Sequence, residues 1–209
     1  MSDAARRLGV LVSGRGSNLQ ALIDAIGSGQ LNATIAVVIS NVPDAGALGR
    51  ATAAGIETVV MPHRDWPSRE AYDGALAQAL LARGCRLVCL AGFMRRLSAR
   101  FLEQFPGPVL NVHPSLLPAF PGIDGPGQAL AHGVKVAGCT VHLVTPELDA
   151  GPIVLQAAVP VESGDSAHTL AARILEQEHR LLPRAVGIVL DGRRVRCRRR
   201  RAQPAQRAR

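Results

Sequence analysis

The chain has 209 residues, 47% of them hydrophobic and only 3% aromatic, and a formal net charge of +8. This length and hydrophobic content predict one well-buried domain rather than two, and the shortage of aromatic residues argues against a surface that stacks nucleic-acid bases. The positive charge is concentrated at one end, because residues 191–209 hold nine of the 24 Lys and Arg but one of the 16 Asp and Glu, which leaves a neutral body.

Short apolar runs typical of strands alternate along the chain with patterns typical of helices. In chain order the strand patterns are LGVLV, TIAVVIS, IETVVM, RLVCLAG and PVLNVH, and the helical patterns between them are NLQALIDAI, AGALGRATAAG, SREAYDGALAQALLARG and SARFLEQF. This alternation predicts an α/β fold with a doubly wound, mostly parallel sheet flanked by helices. Such sheets bind their ligands beyond the carboxyl ends of the strands.

After the fifth strand pattern the alternation stops. Residues 114–127 are rich in proline and glycine, which predicts a long loop of functional importance, with Leu117-Pro118 as the candidate for a cis peptide bond. A short helix (QALAHG), two strands (CTVHLVT and IVLQAAVPV) and a long helix from Ser166 to about Leu190 follow. Residues 1–191 are therefore predicted to form a single domain.

Residues 192–209 form an arginine-rich tail. We expect this tail to be disordered and solvated; the alternative is association with RNA or another acidic surface through counterion release. The first residues lead into a strand pattern rather than a signal peptide, and no apolar run approaches the length of a membrane span. We therefore expect a cytoplasmic protein with neither a membrane nor a nucleic-acid partner.

The cysteines do not form a metal-binding pattern. Cys85, Cys89, Cys139 and Cys197 lack the spacing of a zinc site, and three of them lie in apolar stretches. They are predicted to be reduced thiols of the core, and no metal is expected.

A glycine-rich turn joins the first strand pattern to the first helix, with the sequence Ser13-Gly14-Arg15-Gly16-Ser17-Asn18. The third glycine of a dinucleotide-binding turn is replaced by Leu19, and the Lys of a nucleoside triphosphate P-loop is missing. The remaining interpretation is a tight turn that directs backbone N–H groups toward the start of a helix, together with the side chains of Ser13, Ser17 and Asn18. The helix dipole favours an anion at this position. This predicts a phosphomonoester site; the alternative is a turn in which Ser or Asn merely caps the helix.

Three further polar residues lie near predicted strand ends. Asn111 and His113 are two residues apart in a strand, so their side chains share one face, and Asp149 lies in the turn between two later strands. A carboxylate beside a histidine favours the imidazolium and fixes its orientation. The alternatives are a structural histidine and an Asp that hydrogen-bonds its own turn.

Five stretches resemble the signature stretches of the glycinamide ribonucleotide transformylases, which are folate-dependent enzymes of purine biosynthesis: SGRGSNLQAL, SNVPDAGAL, LAGFMRRLS, NVHPSLLPAFPG and GCTVHLVTPELDAGPIVLQAAVPV. The resemblance runs in order from about residue 8 to 191. It implies a Rossmann-like formyltransferase fold and transfer of the formyl group of 10-formyltetrahydrofolate, the co-substrate, to the primary amine of glycinamide ribonucleotide. Whether the enzyme is a monomer or a homodimer stays open.

The resemblance also implies roles for particular residues. Asn111 would donate a hydrogen bond to the oxyanion, His113 as imidazolium would stabilise that charge, and Asp149 would orient His113 and help to relay protons. The substrate's 5′-phosphate would lie on the glycine turn, on Gly14, Arg15, Gly16, Ser17 and Asn18. Glu178 would lie near the substrate amine, although an ordinary polar helix residue is the alternative. The folate site would comprise Arg69, Phe93, Met94, Arg95, Arg96, Leu97 and Asp149.

The chain departs from this family in the proline-rich loop. The family often carries His or Asp where this chain has Asp124, and a second His two residues later, where this chain has Pro126 followed by Gly127. Proline and glycine change the stiffness of a loop and remove a hydrogen-bond donor, so we expect this change to affect the folate affinity and the closure of the loop.

Two other functions fit parts of the sequence. Methionyl-tRNA formyltransferase and formyltetrahydrofolate hydrolase share the HPSLLP stretch, but each normally has an additional domain for which this chain has no room. A non-catalytic phosphoribosyl-binding module that attaches to RNA through its arginine tail is a hypothesis of a different class. A module of that kind needs no folate.

Overall fold

The structure is a computed structural model and describes residues 6–192. Seven strands form one sheet: β1 (Arg7–Val12), β2 (Thr34–Ser40), β3 (Thr58–Val60), β4 (Leu87–Leu90), β5 (Val109–His113), β6 (Val136–Leu143) and β7 (Ile153–Pro160). Six α-helices accompany them: α1 (Ser17–Gly27), α2 (Gly46–Ala53), α3 (Arg69–Ala82), α4 (Ala99–Gln104), α5 (Gly125–Ala131) and α6 (Ala167–Leu190). The predicted α/β alternation is confirmed.

The strands lie in the order β3-β2-β1-β4-β5-β6-β7. The pairs from β3 to β5 are parallel, and β6 and β7 are antiparallel to their neighbours. The strand order reverses direction at β1, between β2 and β4, which is where doubly wound sheets bind ligands. The glycine turn after β1 and the loop after β4 meet at this point, since Ser13 N donates to Gly92 O at 3.1 Å.

Helices cover both faces of the sheet. On β1, Val10 and Val12 pack in the cluster that contains α1, α2, α5 and α6, whereas Leu11 packs in the cluster that contains α3 and α4. A strand that is buried on both faces reads as a continuous apolar run, which explains the LGVLV pattern. The doubly wound arrangement predicted from the sequence is therefore confirmed.

The proline-rich loop is shorter than predicted, because α5 begins at Gly125 rather than at Gln128. Asp124 caps this helix, and its side chain accepts a hydrogen bond from Gly127 N at 3.1 Å. Pro126 lies in the first turn, where a missing N–H costs nothing. The loop therefore spans residues 114–124, and its Leu117-Pro118 bond is cis, as predicted.

The remaining expectations about the body concern cysteines and membrane spans. Cys85, Cys89 and Cys139 are free and buried, as predicted, and burial raises the pKa of the Cys85 thiol to about 11. Residues 193–209 of the basic tail, including Cys197, lie outside the described residues. Among residues 6–192, no helix is long and apolar enough to cross a bilayer.

Candidate active site

Three of the predicted residues converge at the carboxyl end of β5. His113 ends this strand, Asn111 lies two residues before it, and Asp149 approaches from the loop between β6 and β7. Asp149 Oδ2 lies 3.5 Å from His113 Nδ1, and the two side chains are 8% and 6% exposed. Charges at a site this well shielded from solvent are screened far less than charges at the surface.

The loop after β5 fixes the orientation of both partners. His113 Nε2 lies 2.9 Å from the carbonyl oxygen of Phe120, and Gly122 N donates to Asp149 Oδ2 at 2.8 Å. A carbonyl oxygen can only accept, so Nε2 carries a proton while Nδ1 faces the carboxylate. The two contacts hold the His113 ring at both of its nitrogens.

His142 on β6 completes the group, and it was missing from the sequence-based site. Its Nε2 lies 3.2 Å from Asn111 Nδ2 and 3.7 Å from Asp149 Oδ1. Burial lowers the pKa of His142, against the opposing effects of its contact with Leu143 O and the charge of Asp149. A neutral ring whose Nδ1 donates to Leu143 O leaves Nε2 free to accept from the Asn111 amide.

The sequence did carry a signal for His142. Thr140 and His142 alternate with Val141 and Leu143, which is the period of a strand with one polar face. The antiparallel register pairs His142 with Asn111. That register depends on the geometry of the intervening loop, so the sequence alone could place His142 on a face but not beside Asn111.

The glycine turn has the geometry expected of an anion site. Gly16 occupies the N-cap position of α1 with a φ of 77°, and no side chain caps the helix. A Cβ atom at Gly16 would lie 2.6 Å from Ala47, so glycine is required here. The alternative in which Ser or Asn caps the helix is therefore wrong, and the first N–H groups of α1 are left to other acceptors.

The residues of the turn differ in how far they are exposed to solvent. Gly14 and Arg15 are exposed, Ser17 is half-buried and Asn18 is buried. Ser13, which the sequence placed among the ligand-facing groups, is used within the protein instead. Its Oγ donates to Asn41 Oδ1 at 2.6 Å and accepts from Met94 N at 2.9 Å.

Glu178 on α6 is hydrogen-bonded to the glycine turn. Asn18 Nδ2 donates to Glu178 Oε2 at 2.7 Å, and each of the two residues is 7% exposed. Burial raises the pKa of the Glu178 carboxyl, while the hydrogen bond from Asn18 and the charge of His113 act in the opposite direction. Asn18 Oδ1 is buried and has no hydrogen-bond partner within residues 6–192. Glu178 is therefore a buried carboxyl group held by a residue of the glycine turn.

The predicted folate residues after β4 have different environments. Phe93 and Leu97 pack into the core cluster with α3 and α4, whereas Met94 is 81% exposed. The Arg95 guanidinium lies over the Tyr72 ring, 5.1 Å from its centroid, and its Nε is buried without a partner among the described residues. Three side chains of this segment, those of Met94, Arg95 and Arg96, are therefore at least partly accessible to a ligand.

Two more arginine contacts border this segment. Arg96 donates to the carbonyl oxygen of Pro146, which joins the loop after β4 to the loop that carries Asp149. Arg69 begins α3, and its Nε lies 4.0 Å from Asp73 Oδ2. In the described part of the chain, no cluster of three or more His, Cys, Asp or Glu side chains is arranged to hold a metal ion.

Fold and site together define a class of protein. The family model described as formyl transferase matches residues 6–186, and the chain belongs to this family.

Two bacterial proteins of known name match the chain over most of its length. The chain is 52% identical to glycinamide ribonucleotide transformylase 1 from Symbiobacterium toebii, whose crystal structure it matches with a TM-score of 0.89 over 92% of this chain and 91% of that one. It is 47% identical to phosphoribosylglycinamide formyltransferase from Escherichia coli (strain K12), over 88% of this chain and 87% of that protein. The family resemblance stated from the sequence is confirmed.

Longer relatives contain a similar stretch. The trifunctional purine biosynthetic protein adenosine-3 of Drosophila melanogaster is 48% identical over 194 residues. These residues are 92% of this chain but only 14% of the length of that protein.

Proposed function

We propose that this chain transfers the formyl group of 10-formyltetrahydrofolate to the primary amine of glycinamide ribonucleotide. The products are formylglycinamide ribonucleotide and tetrahydrofolate. The observation that carries the proposal is the convergence of Asn111, His113 and Asp149 at the end of β5. The names and high coverage of the bacterial relatives support the same reaction.

The substrate supplies its own nucleophile. Its amine nitrogen attacks the formyl carbon, a tetrahedral intermediate forms, and the bond from carbon to the folate nitrogen then breaks while a proton moves from the attacking to the departing nitrogen. The protein has to hold the two reactants together and stabilise the negative oxygen that develops. No serine or cysteine nucleophile is needed.

Each residue of the site has a task in this scheme. The amide of Asn111 has two N–H groups; one is directed to His142, and we assign the other to the oxyanion. His113 contributes its positive charge rather than its Nε2 proton, because that proton is directed to Phe120 O. Asp149 orients His113 and accepts or returns a proton through water.

The two ends of the ribonucleotide have separate anchors in this proposal. The phosphate lies on the turn of Gly14, Arg15, Gly16, Ser17 and Asn18, at the N-terminus of α1. Glu178, which accepts a hydrogen bond from Asn18, lies near the amine. The folate lies against Arg69, Phe93, Met94, Arg95, Arg96, Leu97 and Asp149, with Phe93 and Leu97 supporting the pocket from the core.

We further propose that residues 1–191 form the catalytic unit and that the basic tail takes no part in the reaction. A protein shortened by removal of residues 193–209 then retains its turnover. If RNA binding is found, this truncation locates it, because binding that survives cannot come from the tail.

The test is incubation with 10-formyltetrahydrofolate and glycinamide ribonucleotide while tetrahydrofolate is measured. We expect release that requires both substrates. Titration calorimetry separates the alternative of a phosphoribosyl-binding module, which binds the ribonucleotide but no folate analogue. An absence of release with active folate would refute the proposed reaction.

A further inference from the structure

The loop of residues 114–124 contributes backbone groups, not side chains, to the candidate site. Phe120 O accepts from His113, and Gly122 N donates to Asp149 Oδ2. The φ values of Phe120 and Gly122 are 54° and 84°. A residue other than glycine at a positive φ is strained, so its conformation persists only where surrounding contacts hold it.

One side chain supplies such contacts at the tip of this loop. Gln128 Nε2 donates to Pro121 O at 3.1 Å and to Ile123 O at 2.8 Å. These carbonyls belong to the two residues that flank Gly122. The amide nitrogen of Gln128 therefore binds the residues on both sides of Gly122, whose N–H donates to Asp149.

Gln128 is itself held by the start of α5. It lies in the first turns of this helix, and Gln128 N donates to Asp124 O at 3.0 Å. The Asp124 side chain caps the same helix end through Gly127 N. The next residue of the helix, Ala129, is buried in the core cluster of α1 and α6. The glutamine thus projects from a packed helix onto an irregular loop.

We infer that Gln128 is a positioning residue for formyl transfer, acting through the carbonyls of Pro121 and Ile123 on the hydrogen bonds of Gly122 to Asp149 and of Phe120 to His113. This inference depends on the proposed function, since it assigns Gln128 a role in that reaction. Loss of the two Gln128 hydrogen bonds lets the loop tip relax, and His113 and Asp149 each lose a fixed partner. Small misplacements of reacting groups carry large costs in rate.

A second glutamine holds the same loop elsewhere. Gln156 Nε2 donates to Leu117 O and to Thr140 Oγ1, each at 2.9 Å. These contacts involve the base of the loop rather than residues 120–123. Gln156 therefore supports the loop without touching the segment that carries the two backbone groups.

The test uses Gln128→Glu, which keeps the size and helix propensity of the side chain but replaces the N–H donor by an acceptor. We expect kcat to fall about tenfold or more, while KM for both substrates changes less than about threefold. Gln128→Leu, which also lacks the donor, should show the same large fall in kcat with little change in KM. Gln104→Glu is the matched control, because Gln104 is half-buried on α4, on the other face of the sheet.

The nitrogen NMR signals of the His113 ring provide a readout that does not need activity. In Gln128→Glu the Nε2 signal should move toward that of a ring without the Phe120 contact, and in Gln104→Glu it should stay. Unchanged His113 signals, a kcat within about twofold of the parent, or a change confined to KM would each overturn the inference. If the parent protein released no tetrahydrofolate, the proposed function would fail, and the NMR comparison would still decide whether Gln128 positions His113.

Discussion

The most informative perturbation of the site is Asp149→Asn, because it removes a charge and almost nothing else. Asp149 has a φ of 50°, and Asn adopts this left-handed region as readily as Asp does. The remaining carbonyl oxygen can still accept from Gly122 N. The substitution therefore tests the charge between His113 and His142 without adding backbone strain.

The expected magnitude follows from the contacts of the carboxylate. It lies 3.5 Å from His113 Nδ1 and 3.7 Å from His142 Nε2. Two unit charges at about 4 Å attract by about 4 kcal/mol at an effective dielectric constant of about 20, which is an upper limit. A hydrogen bond to a charged group contributes about 1.5–3 kcal/mol, and a loss of about 2–3 kcal/mol slows the reaction about 30- to 150-fold.

The assay has two parts. Steady-state release of tetrahydrofolate gives kcat, and titration calorimetry gives the Kd values of a folate analogue and the ribonucleotide. Asp165→Asn is the control, since Asp165 pairs with Arg173 at the start of α6 and lies outside the proposed site. We expect Asp149→Asn to lose turnover far more than it loses binding. A kcat within about threefold of the parent would remove Asp149 from the mechanism.

Four further predictions concern other parts of the chain. Asn111→Ala removes the proposed oxyanion donor, so kcat falls about a hundredfold while calorimetry finds little change in binding. Burial raises the folded-state pKa of Glu178, so ionisation of this carboxyl destabilises the fold as the pH rises. The Tm of Glu178→Gln should therefore be higher than that of the parent at pH 8 but not at pH 4. Hydrogen bonds from Arg173 lower the folded-state pKa of Asp165, so this group stabilises the fold above its unfolded pKa of about 3.9. The Tm deficit of Asp165→Asn should therefore be present at pH 7 and disappear as the pH falls well below 4. Removal of residues 193–209 should leave kcat unchanged, and an about tenfold loss would give the tail a part in catalysis.

The departure of Pro126 and Gly127 from the family pattern has a local explanation in the structure. These residues form the first turn of α5, which Asp124 caps. A Cβ atom at Gly125 would lie 2.7 Å from Pro114 O, so the helix start also requires glycine for close packing against the loop. The Gly-Pro-Gly run begins a helix here, and Gln128, which follows it, contacts the tip of the loop.

Much of the architecture was readable from the sequence because it depends on local chemistry. The apolar runs and the glycine-rich turn each depend on a few neighbouring residues, and they predicted the strands and the turn after β1. The end of the loop was placed too late, at residue 127 rather than 124, and this error has a local reason as well. Asp124 was read as a loop residue, although its side chain caps α5.

The sequence by itself determined the strand–helix alternation, the buried thiols and the identity of Asn111, His113 and Asp149 as candidates, since periodicity and turn chemistry are properties of neighbouring residues. Only the tertiary structure decided that His142 lies beside Asn111, that Ser13 is engaged with Asn41 and that the backbone of Phe120 holds His113. Each of these contacts depends on strand register or on the path of a loop. Strand register and loop path are set by how the whole sheet and its helices pack. The type and spacing of individual residues do not specify that packing.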